Sequence, residues 1–358
     1  MRTNPSSLRI ATYNLRYASQ PDQITVSESI SALGNPLAQD TFLALSGEQP
    51  WSTRRLHVAE HLLSEVIVIA GIQEALKNDL AQLFRDDWGC IGVGRSDEVE
   101  GGEYCPLFYK KSAVKQLSND TFWLSRVHRR LLVTPGSYFT DTPFKPSKYP
   151  GASTFRLCTA ASFSLTMGAK TKFTVLNTHL DNRSDKQRRL GASLLLARAR
   201  YEAVHSHSPV FVIGDFNSLS TGESSGAYDI ITGASAPVSI DAPFTAKYNV
   251  GNQLPDFKMV DLRSEAPRKR VSNNFATYTG FNKPSDTSVW KRVDFVFGGC
   301  NFGWTSEAYK VGSSLSVMEL WRAINTRVCR CSHLNGSCGD TIPSYAVPCG
   351  SEGYNVRI

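Results

Sequence analysis

Short apolar segments alternate with helical segments along most of the chain. Residues 8–15, 66–72 and 210–213 form short apolar runs, and 66–72 and 210–213 read as buried strands. Residues 54–63 space their apolar side chains for one face of a helix, and residues 186–206 are rich in the helix-forming residues Ala, Leu and Arg. This alternation predicts a layered α/β fold, in which helices pack against sheets.

Further strands are predicted at residues 106–111, 121–125, 158–165, 172–176 and 293–297. Between them lies a basic, proline-containing stretch, for which the sequence predicts a long surface loop over residues 126–150. No internal repeat and no linker interrupts the pattern. One domain is therefore expected.

Composition limits the class of protein. The chain has 358 residues, of which 41% are hydrophobic and 20% charged, so it is globular rather than disordered, collagen-like or coiled-coil. No segment approaches the roughly 18 apolar residues of a membrane span, and no apolar block typical of a secretory signal follows the first residues. We therefore expect an intracellular protein, cytoplasmic or nuclear. The net charge of +7 is compatible with a phosphate-bearing partner without requiring one.

The eight cysteines fall into two groups. Four are scattered, and four crowd the end of the chain close to His333: Cys329, Cys331, Cys338 and Cys349. A disulfide scaffold is not expected in a chain of this length without an export signal. A zinc module near the end stays open as an alternative, although a Cys-x-Cys start with uneven gaps is not standard ligand spacing.

Polar residues terminate the predicted strands. In layered α/β folds, side chains from strand ends converge at one edge of a sheet, where ligands bind. Asn, Glu, Asp and His are also the residue types that bind a hard divalent cation and move protons near a phosphate. The residues at these positions are Asn14, Glu74, His179, Asp215, Asn217 and Asp294.

Each of these residues also has a purely structural alternative. Asn14 is a common turn former, and Glu74 precedes a helical stretch whose first turn favours an acid. His179 alone is more often structural than catalytic, and the Asp-Phe-Asn run at 215–217 is typical of an Asx turn. Asp294 is harder to dismiss, because a carboxylate in an apolar strand needs a partner such as an arginine, a histidine or a metal.

Several segments together resemble the endonuclease/exonuclease/phosphatase superfamily of DNase I-like, metal-dependent phosphoesterases. The matching segments are 11–17, 71–74, 177–181, 214–218 and 292–297, and the resemblance covers roughly residues 8–315. Residues 51–54, 92–95, 102–103, 107–110 and 121–125 look similar to one poorly characterised branch of it. The resemblance implies a four-layer α/β (α+β) sandwich, in which two packed mixed β-sheets are flanked by helices.

The resemblance also implies a role for each site residue. Asn14 and Glu74 would hold Mg²⁺, with Mn²⁺ as an alternative ion. Asp215 would orient or deprotonate the attacking water, Asn217 would bind a phosphate oxygen, and His179 would stabilise charge on the phosphoryl group. These residue types are the ones that phosphoryl transfer to water requires.

The end of the chain departs from this pattern. The superfamily ends with Ser-Asp-His and a last strand, and Asp294 would orient that histidine. After Ser316 no such motif follows, and Ser332-His333 lacks the aspartate. We therefore expect residues 8–316 to form the domain and residues 317–358 to be a divergent tail without the last strand.

A shifted reading frame is one explanation for the missing motif. Residues 334–340, read from the second base of each codon, permit a string close to Ser-x-Asp-His followed by apolar residues. Our hypothesis is a frameshift or a retained intron between Ser316 and Arg330. Sequencing the transcript across this region tests it, and confirmation of the frame as written would reject it.

Two functions follow as expectations. The first is a monomeric Mg²⁺-dependent hydrolase of phosphate mono- or diesters. The alternative is a catalytically impaired relative that only binds phosphorylated ligands, because the terminal Asp-His pair is missing. Nucleic acid, phosphoinositide, phospholipid head group and sugar phosphate all remain candidate partners. The basic runs at 128–130 and 145–148 are more typical of solvated loops than of a nucleic-acid groove.

Overall fold

The computed structural model of the chain describes residues 7–16, 22–35, 49–75, 79–125, 128–131, 138–141, 144–149, 152, 154–168, 170–280, 286–299, 304–311 and 325–333. Side chains are described throughout these ranges except at residues 7, 79, 128–131, 138–141 and 325–333. Within them, no helix has both the length and the apolar character needed to cross a bilayer.

The described ranges contain fourteen strands, seven α-helices and two short 3-10 helices. The strands are β1 (Ser7–Asn14), β2 (Ile69–Gln73), β3 (Trp88–Ile91), β4 (Leu107–Lys110), β5 (Val114–Trp123), β6 (His128–Leu131), β7 (Tyr138–Asp141), β8 (Leu157–Leu165), β9 (Lys172–His179), β10 (Val210–Asp215), β11 (Val260–Asp261), β12 (Asp294–Gly299), β13 (Trp304–Val311) and β14 (Asn325–His333). The helices are α1 (Val26–Ser31), α2 (Trp51–Ser64), α3 (Asp79–Phe84), α4 (Asp185–Ser206), α5 (Gly226–Thr232), α6 (Ala242–Lys247) and α7 (Leu262–Glu265).

Twelve of the strands form two mixed sheets of six. The first sheet has the order β13-β14-β1-β2-β4-β3, and the second has the order β11-β12-β10-β9-β8-β5. Each contains one parallel pair at its centre, β1 with β2 in the first sheet and β9 with β10 in the second. All other pairings within the two sheets are antiparallel. The strands β6 and β7 form a separate hairpin.

The apolar side chains of the central strands alternate between two faces. In β1, Leu8 and Ile10 point into a core shared with the second sheet, whereas Ala11 and Tyr13 pack with α2 and α3. The strands β9 and β10 divide in the same way between the shared core and a core under α4 and α5. Period-two alternation of this kind places one apolar layer on each side of a sheet. The predicted four-layer α/β sandwich is therefore confirmed.

Two regions differ from the sequence-based expectation. Residues 126–150 were predicted to be a loop, but they contain the hairpin of β6 and β7, whose β-branched and aromatic residues favour strands. The expectation that the segment after Ser316 lacks a last strand is wrong, because β14 pairs antiparallel with both β1 and β13. Thr326 and Val328 supply β-branched residues there, and the strand fills the position between β1 and β13.

The cysteine alternatives are only partly described. Cys90, Cys105 and Cys158 are free thiols. The backbone at Cys329, Cys331 and His333 lies in β14, and alternation along a strand places these three positions on one face of the first sheet. Their side chains, together with Cys338 and Cys349, lie outside the described part, so the zinc alternative and the frameshift hypothesis stay predictions.

Candidate functional site

The candidate site lies where the carboxyl ends of the two central parallel pairs meet. Asn14 is the last residue of β1, and Glu74 directly follows β2. His179 and Asp215 are the last residues of β9 and β10 and face each other in register. The two sheets therefore present four of the predicted side chains from neighbouring strand ends, as expected for ligand sites in α/β folds.

A buried polar network fixes the two sheets to each other beneath this edge. Gln73 of β2 donates a hydrogen bond from Nε2 to Asn177 Oδ1 of β9 at 2.7 Å. In return, Asn177 Nδ2 donates to the carbonyls of Ile72 and Pro106 at 2.9 and 2.8 Å. Both residues are fully buried. Since a buried amide without partners is costly, these bonds set the relative position of the sheets.

Gly71 permits the close approach of the sheets at this point. A Cβ atom there would lie 2.5 Å from Ile213 Cδ1 and 2.6 Å from Asn177 Oδ1. Gly214, one residue before the end of β10, has φ of +145°, and a Cβ there would lie 2.0 Å from the Thr178 carbonyl oxygen. Both positions require glycine for steric reasons.

Asn14 connects two carboxylates that would otherwise repel. Its Nδ2 donates to Glu74 Oε1 at 3.0 Å and to Asp215 Oδ2 at 2.9 Å. Its Oδ1 accepts from the Arg16 backbone N–H at 2.7 Å, which orients the amide. Glu74 has a φ of +54°, an uncommon value for a residue with a side chain. Such strained positions cluster at functional sites.

Asp215 lies in a buried environment close to other negative charges. The residue is 6% exposed, and Asp294 faces it directly across the β10–β12 pair. Burial first, and the charge of Asp294 second, raise the pKa of Asp215 to about 8, although hydrogen bonds from Asn14 and the Asn217 N–H act in the opposite direction. A carboxylate in this position is a stronger base than an exposed one.

His179 and Asn217 form the other wall of the site. Asn217 Nδ2 lies 3.1 Å from His179 Nε2 and donates to the Leu180 carbonyl at 3.0 Å. His179 Nε2 lies 3.8 Å from Asp215 Oδ2 and 3.9 Å from Glu74 Oε1. Burial, followed by the charges of Arg156 and Arg95, holds the pKa of His179 well below its usual range, so its imidazole is neutral without a ligand.

The Asx-turn alternative for residues 215–217 is also present, because Asp215 Oδ1 accepts from the Asn217 N–H at 2.8 Å. This turn gives Asn217 a φ of +46° and directs its amide toward His179. The turn and a site role are therefore compatible. The local turn is what positions the amide.

Asp294 lies behind the site rather than in its wall. It is 2% exposed, and its backbone N–H donates to Thr277 Oγ1 at 3.3 Å. Arg292, suggested by the sequence as a partner, instead forms a 2.6 Å ion pair with Asp261. Among histidines with described side chains, only His179 lines the cleft. The histidine that Asp294 would orient belongs to a motif that the sequence lacks after Ser316, and the side chain of His333 lies outside the described part.

The site opens into a polar cleft of about 730 Å³. All predicted site residues except Asp294 line this cleft. Its lining also contains six cationic side chains against three acidic ones, a balance that the strand-end pattern did not predict. The cations are Arg16, Arg95, Arg156, Arg183, Arg188 and Lys291. Lys145 is not among the lining residues and instead pairs with Glu98 at the surface, as a solvated loop residue does.

The residues of the site suit a hard divalent cation. Glu74, Asp215 and Asp294 concentrate negative charge, and the repulsion among them contributes to the raised pKa of Asp215. Asn14 and Glu74 offer an amide and a carboxylate oxygen, and Mg²⁺ binds through one or two carboxylates plus substrate phosphates and waters. Among described residues, no group of three or more His, Cys, Asp and Glu side chains is arranged as a full metal cage. Among the described residues, Asn14 and Glu74 are thus candidates for part of the coordination of such an ion.

Solved structures share this fold. An endonuclease/exonuclease/phosphatase from Bacteroides vulgatus has a TM-score of 0.64 and 23% identity, covering 92% of this chain and 100% of that one. A mannosyl-6-phosphatase from Bacteroides thetaiotaomicron has a TM-score of 0.60 and 20% identity, covering 91% and 99%. The human Nocturnin catalytic domain, with bound sulfate, has a TM-score of 0.53 and 14% identity, covering 93% and 96%.

Neither a protein-family model nor a curated protein sequence matches the chain. The structural likeness alone therefore identifies the fold. This chain has the endonuclease/exonuclease/phosphatase fold, as the sequence motifs implied.

Proposed function

We propose that this chain is a metal-dependent hydrolase of phosphate esters. The observation that carries the proposal is the hydrogen-bonded group of Glu74, Asn14 and Asp215, at 3.0 and 2.9 Å, beside His179 in a cationic cleft. A mannosyl-6-phosphatase with the same fold supports a phosphate ester as the substrate class. Cations in the cleft attract an anionic ester, and the carboxylates handle the water.

Asp215 is the proposed general base. Its two oxygens accept hydrogen bonds from Asn14 and the Asn217 N–H, which fix the carboxylate in the cleft. A water oxygen bonds to phosphorus while the ester P–O bond breaks. Asp215 takes the proton of the water, and the departing oxygen takes a proton from solvent. Positioned bases of this kind contribute about 10²- to 10⁴-fold in rate.

Asn217 and His179 are the proposed ligands of the phosphoryl oxygens. The Asn217 amide supplies an N–H donor at the cleft wall. His179 is neutral before a ligand arrives, and a phosphate dianion beside it favours the protonated imidazole. The pair would then stabilise charge that develops on the transferred group.

Asn14 and Glu74 are the proposed residues that hold Mg²⁺. When bound, the ion would neutralise charge on the phosphoryl oxygens. Asn14 also keeps Glu74 and Asp215 in place by donating to both, so it contributes to the position of the base as well as to metal binding.

The impaired-relative alternative is favoured by one observation. Of the histidines with described side chains, His179 alone lines the cleft, whereas the motif pattern calls for a second histidine near Asp294. In this alternative the cleft still binds phosphorylated ligands, because its cations remain. Hydrolysis would be slower by several orders of magnitude, since groups that act together are not additive.

Hydrolysis of p-nitrophenyl phosphate and bis-p-nitrophenyl phosphate, with Mg²⁺ or with EDTA, separates the two functions. The hydrolase predicts turnover that EDTA abolishes and that Asp215→Asn lowers by about 10²- to 10⁴-fold. Glu74→Gln is expected to raise the Mg²⁺ concentration required for half-maximal rate and to remove the Mg²⁺-dependent rise in Tm.

The matched control is Glu60→Gln, which removes a carboxylate that is 73% exposed on α2. It is expected to retain both rate and metal response. A folded protein that lacks metal-dependent turnover on either ester would reject the hydrolase. Retained binding of inorganic phosphate would then favour the impaired relative.

A further inference from the structure

One wall of the cleft contains a buried arginine with two side-chain nitrogens that have no hydrogen-bond partner among the described residues. Arg156 directly precedes β8, and its carbonyl accepts from the Leu124 N–H at 2.8 Å, which fixes its backbone. Arg156 is 6% exposed, yet it lines the cleft. Its Nε and Nη1 atoms are buried and have no hydrogen-bond partner among described residues.

The acidic residues whose charges act on Arg156 form their hydrogen bonds with other groups, although Asp181 Oδ2 is buried and has no hydrogen-bond partner among the described residues. Both carboxylate oxygens of Glu103 accept from the guanidinium of Arg95, at 2.7 and 3.0 Å. Asp181 Oδ1 accepts from the backbone N–H groups of Arg183 and Ser184. Burial and the charge of Arg95 lower the pKa of Arg156, and these effects exceed the opposing ones of Asp181 and Glu103. The positive charge of the Arg156 guanidinium is therefore only partly offset by neighbouring negative charges.

An uncompensated buried cation is costly, and proteins retain one where a ligand completes it. Planar guanidinium groups match the oxygens of phosphates and carboxylates. Arg95 reinforces the site, because its loop is held by the Trp123 indole, which donates to the Arg95 carbonyl at 2.8 Å. Arg156 and His179 both line a small pocket that adjoins the cleft.

We propose that Arg156, supported by Arg95, binds a second oxyanion group on the leaving group of the substrate. This inference rests on the proposed function and names its substrate class. The substrates are phosphate esters that carry a further phosphate or a carboxylate, rather than esters of neutral alcohols. Arg156 is a specificity-determining residue, separate from the residues proposed for metal binding and proton transfer.

Three related phosphate esters test the proposal. Glucose 6-phosphate has no second anion, 6-phosphogluconate has a carboxylate, and glucose 1,6-bisphosphate has a second phosphate. We expect kcat/KM for at least one of the two esters with an anionic leaving group to exceed that for glucose 6-phosphate by about 10- to 100-fold. The carboxylate and phosphate arms distinguish the two sources of the anion.

Arg156→Met is expected to reduce this preference to about one. Arg156→Lys keeps the charge without the planar fork, and its preference should be intermediate. Arg200→Gln is the matched control, since it removes one arginine charge from a different groove while leaving the cleft intact. Because an uncompensated buried charge is removed, Arg156→Met should also have an equal or higher Tm than wild type. A drop of several degrees would assign Arg156 a structural role and overturn the proposal.

A binding measurement separates this inference from the proposed function. Calorimetry with methylphosphonate and methylenebisphosphonate at equal free Mg²⁺ requires no turnover. Tighter binding of the bisphosphonate that Arg156→Met removes would support the anion site even in a protein without hydrolase activity. Equal preference in wild type and Arg156→Met, by kinetics and by calorimetry, would overturn it.

Discussion

Asp215 and Asp294 lie directly opposite each other on the antiparallel strands β10 and β12. Both carboxylates are buried, at 6% and 2% exposure. Like charges placed opposite each other in a sheet destabilise it. The fold therefore tolerates an unfavourable pair at the candidate site, with Asp215 in the cleft wall and Asp294 behind it, as strained functional sites commonly do.

This pair predicts an unusual pH dependence for the metal-free protein. Because the folded pKa of Asp215 is raised to about 8 from 3.8, the folded state keeps a proton that the unfolded state releases. Stability from this group is present at low pH and is lost as pH rises from about 4 to 8. In EDTA, Asp215→Asn should flatten the fall of Tm over this range.

Asp256→Asn is the control, since Asp256 is an exposed carboxylate. It should keep the wild-type dependence of Tm on pH. Identical pH profiles for wild type and Asp215→Asn in EDTA would contradict the raised pKa.

The approach of the sheets at Gly71 predicts a steric effect. Gly71→Ala inserts a methyl group 2.5 Å from Ile213 Cδ1 and 2.6 Å from Asn177 Oδ1, so these side chains or the sheets that carry them must shift. Overpacking of this kind costs about 1–3 kcal/mol of unfolding free energy. Urea denaturation measures the loss. Gly34→Ala, at a position with no atom within 4 Å of the new Cβ, should leave the midpoint nearly unchanged.

The network below the site predicts a larger loss for Asn177→Ala. This change removes the hydrogen bonds from Asn177 to the carbonyls of Ile72 and Pro106 and the one that it accepts from Gln73. Pro106 keeps the bond from the Ile72 N–H, and Gln73 keeps the bond to Thr12 Oγ1. The loss of three buried hydrogen bonds, at about 1 kcal/mol each, lowers the free energy of unfolding by about 3 kcal/mol. Denaturant unfolding checks the value, and the exposed Asn252→Ala serves as the reference. Equal stability of the two variants would mean that the network contributes nothing.

The pairing of β14 predicts that residues after Ser316 contribute to the fold. Proline at position 328 removes a backbone N–H within β14, and proline is confined to edges and bulges of sheets. Val328→Pro should lower Tm by several degrees, whereas Val328→Thr, which keeps a β-branched side chain, should not. Equal Tm values for both would support the divergent-tail hypothesis instead.

Much of the site could be predicted from the sequence, because the sequence shows where the apolar strands end. Asn14, Glu74 and Asp215 follow apolar runs, and the topology of parallel strands then places such residues together. The burial of Arg156 in the cleft wall could not be predicted in this way. A single arginine before a strand has no local signature, and its burial depends on β5, β8 and the loop of Arg95 meeting in space.

The strand β14 escaped prediction for a different reason. Its sequence alternates arginine and cysteine with few large apolar residues, so period-two hydrophobicity is weak. What defines it is the pairing with β1 and β13 on either side. Tertiary context of this kind overrides local propensity.

The position of β14 also has a consequence during synthesis. A nascent chain that has emerged only as far as β13 contains β1 and β13 but not the strand that separates them. Contacts this distant in sequence form slowly, and unfinished sheets are prone to pair with other chains. The first sheet therefore completes only when residues 325–333 have left the ribosome, and until then β1 and β13 lack the strand that pairs with both of them.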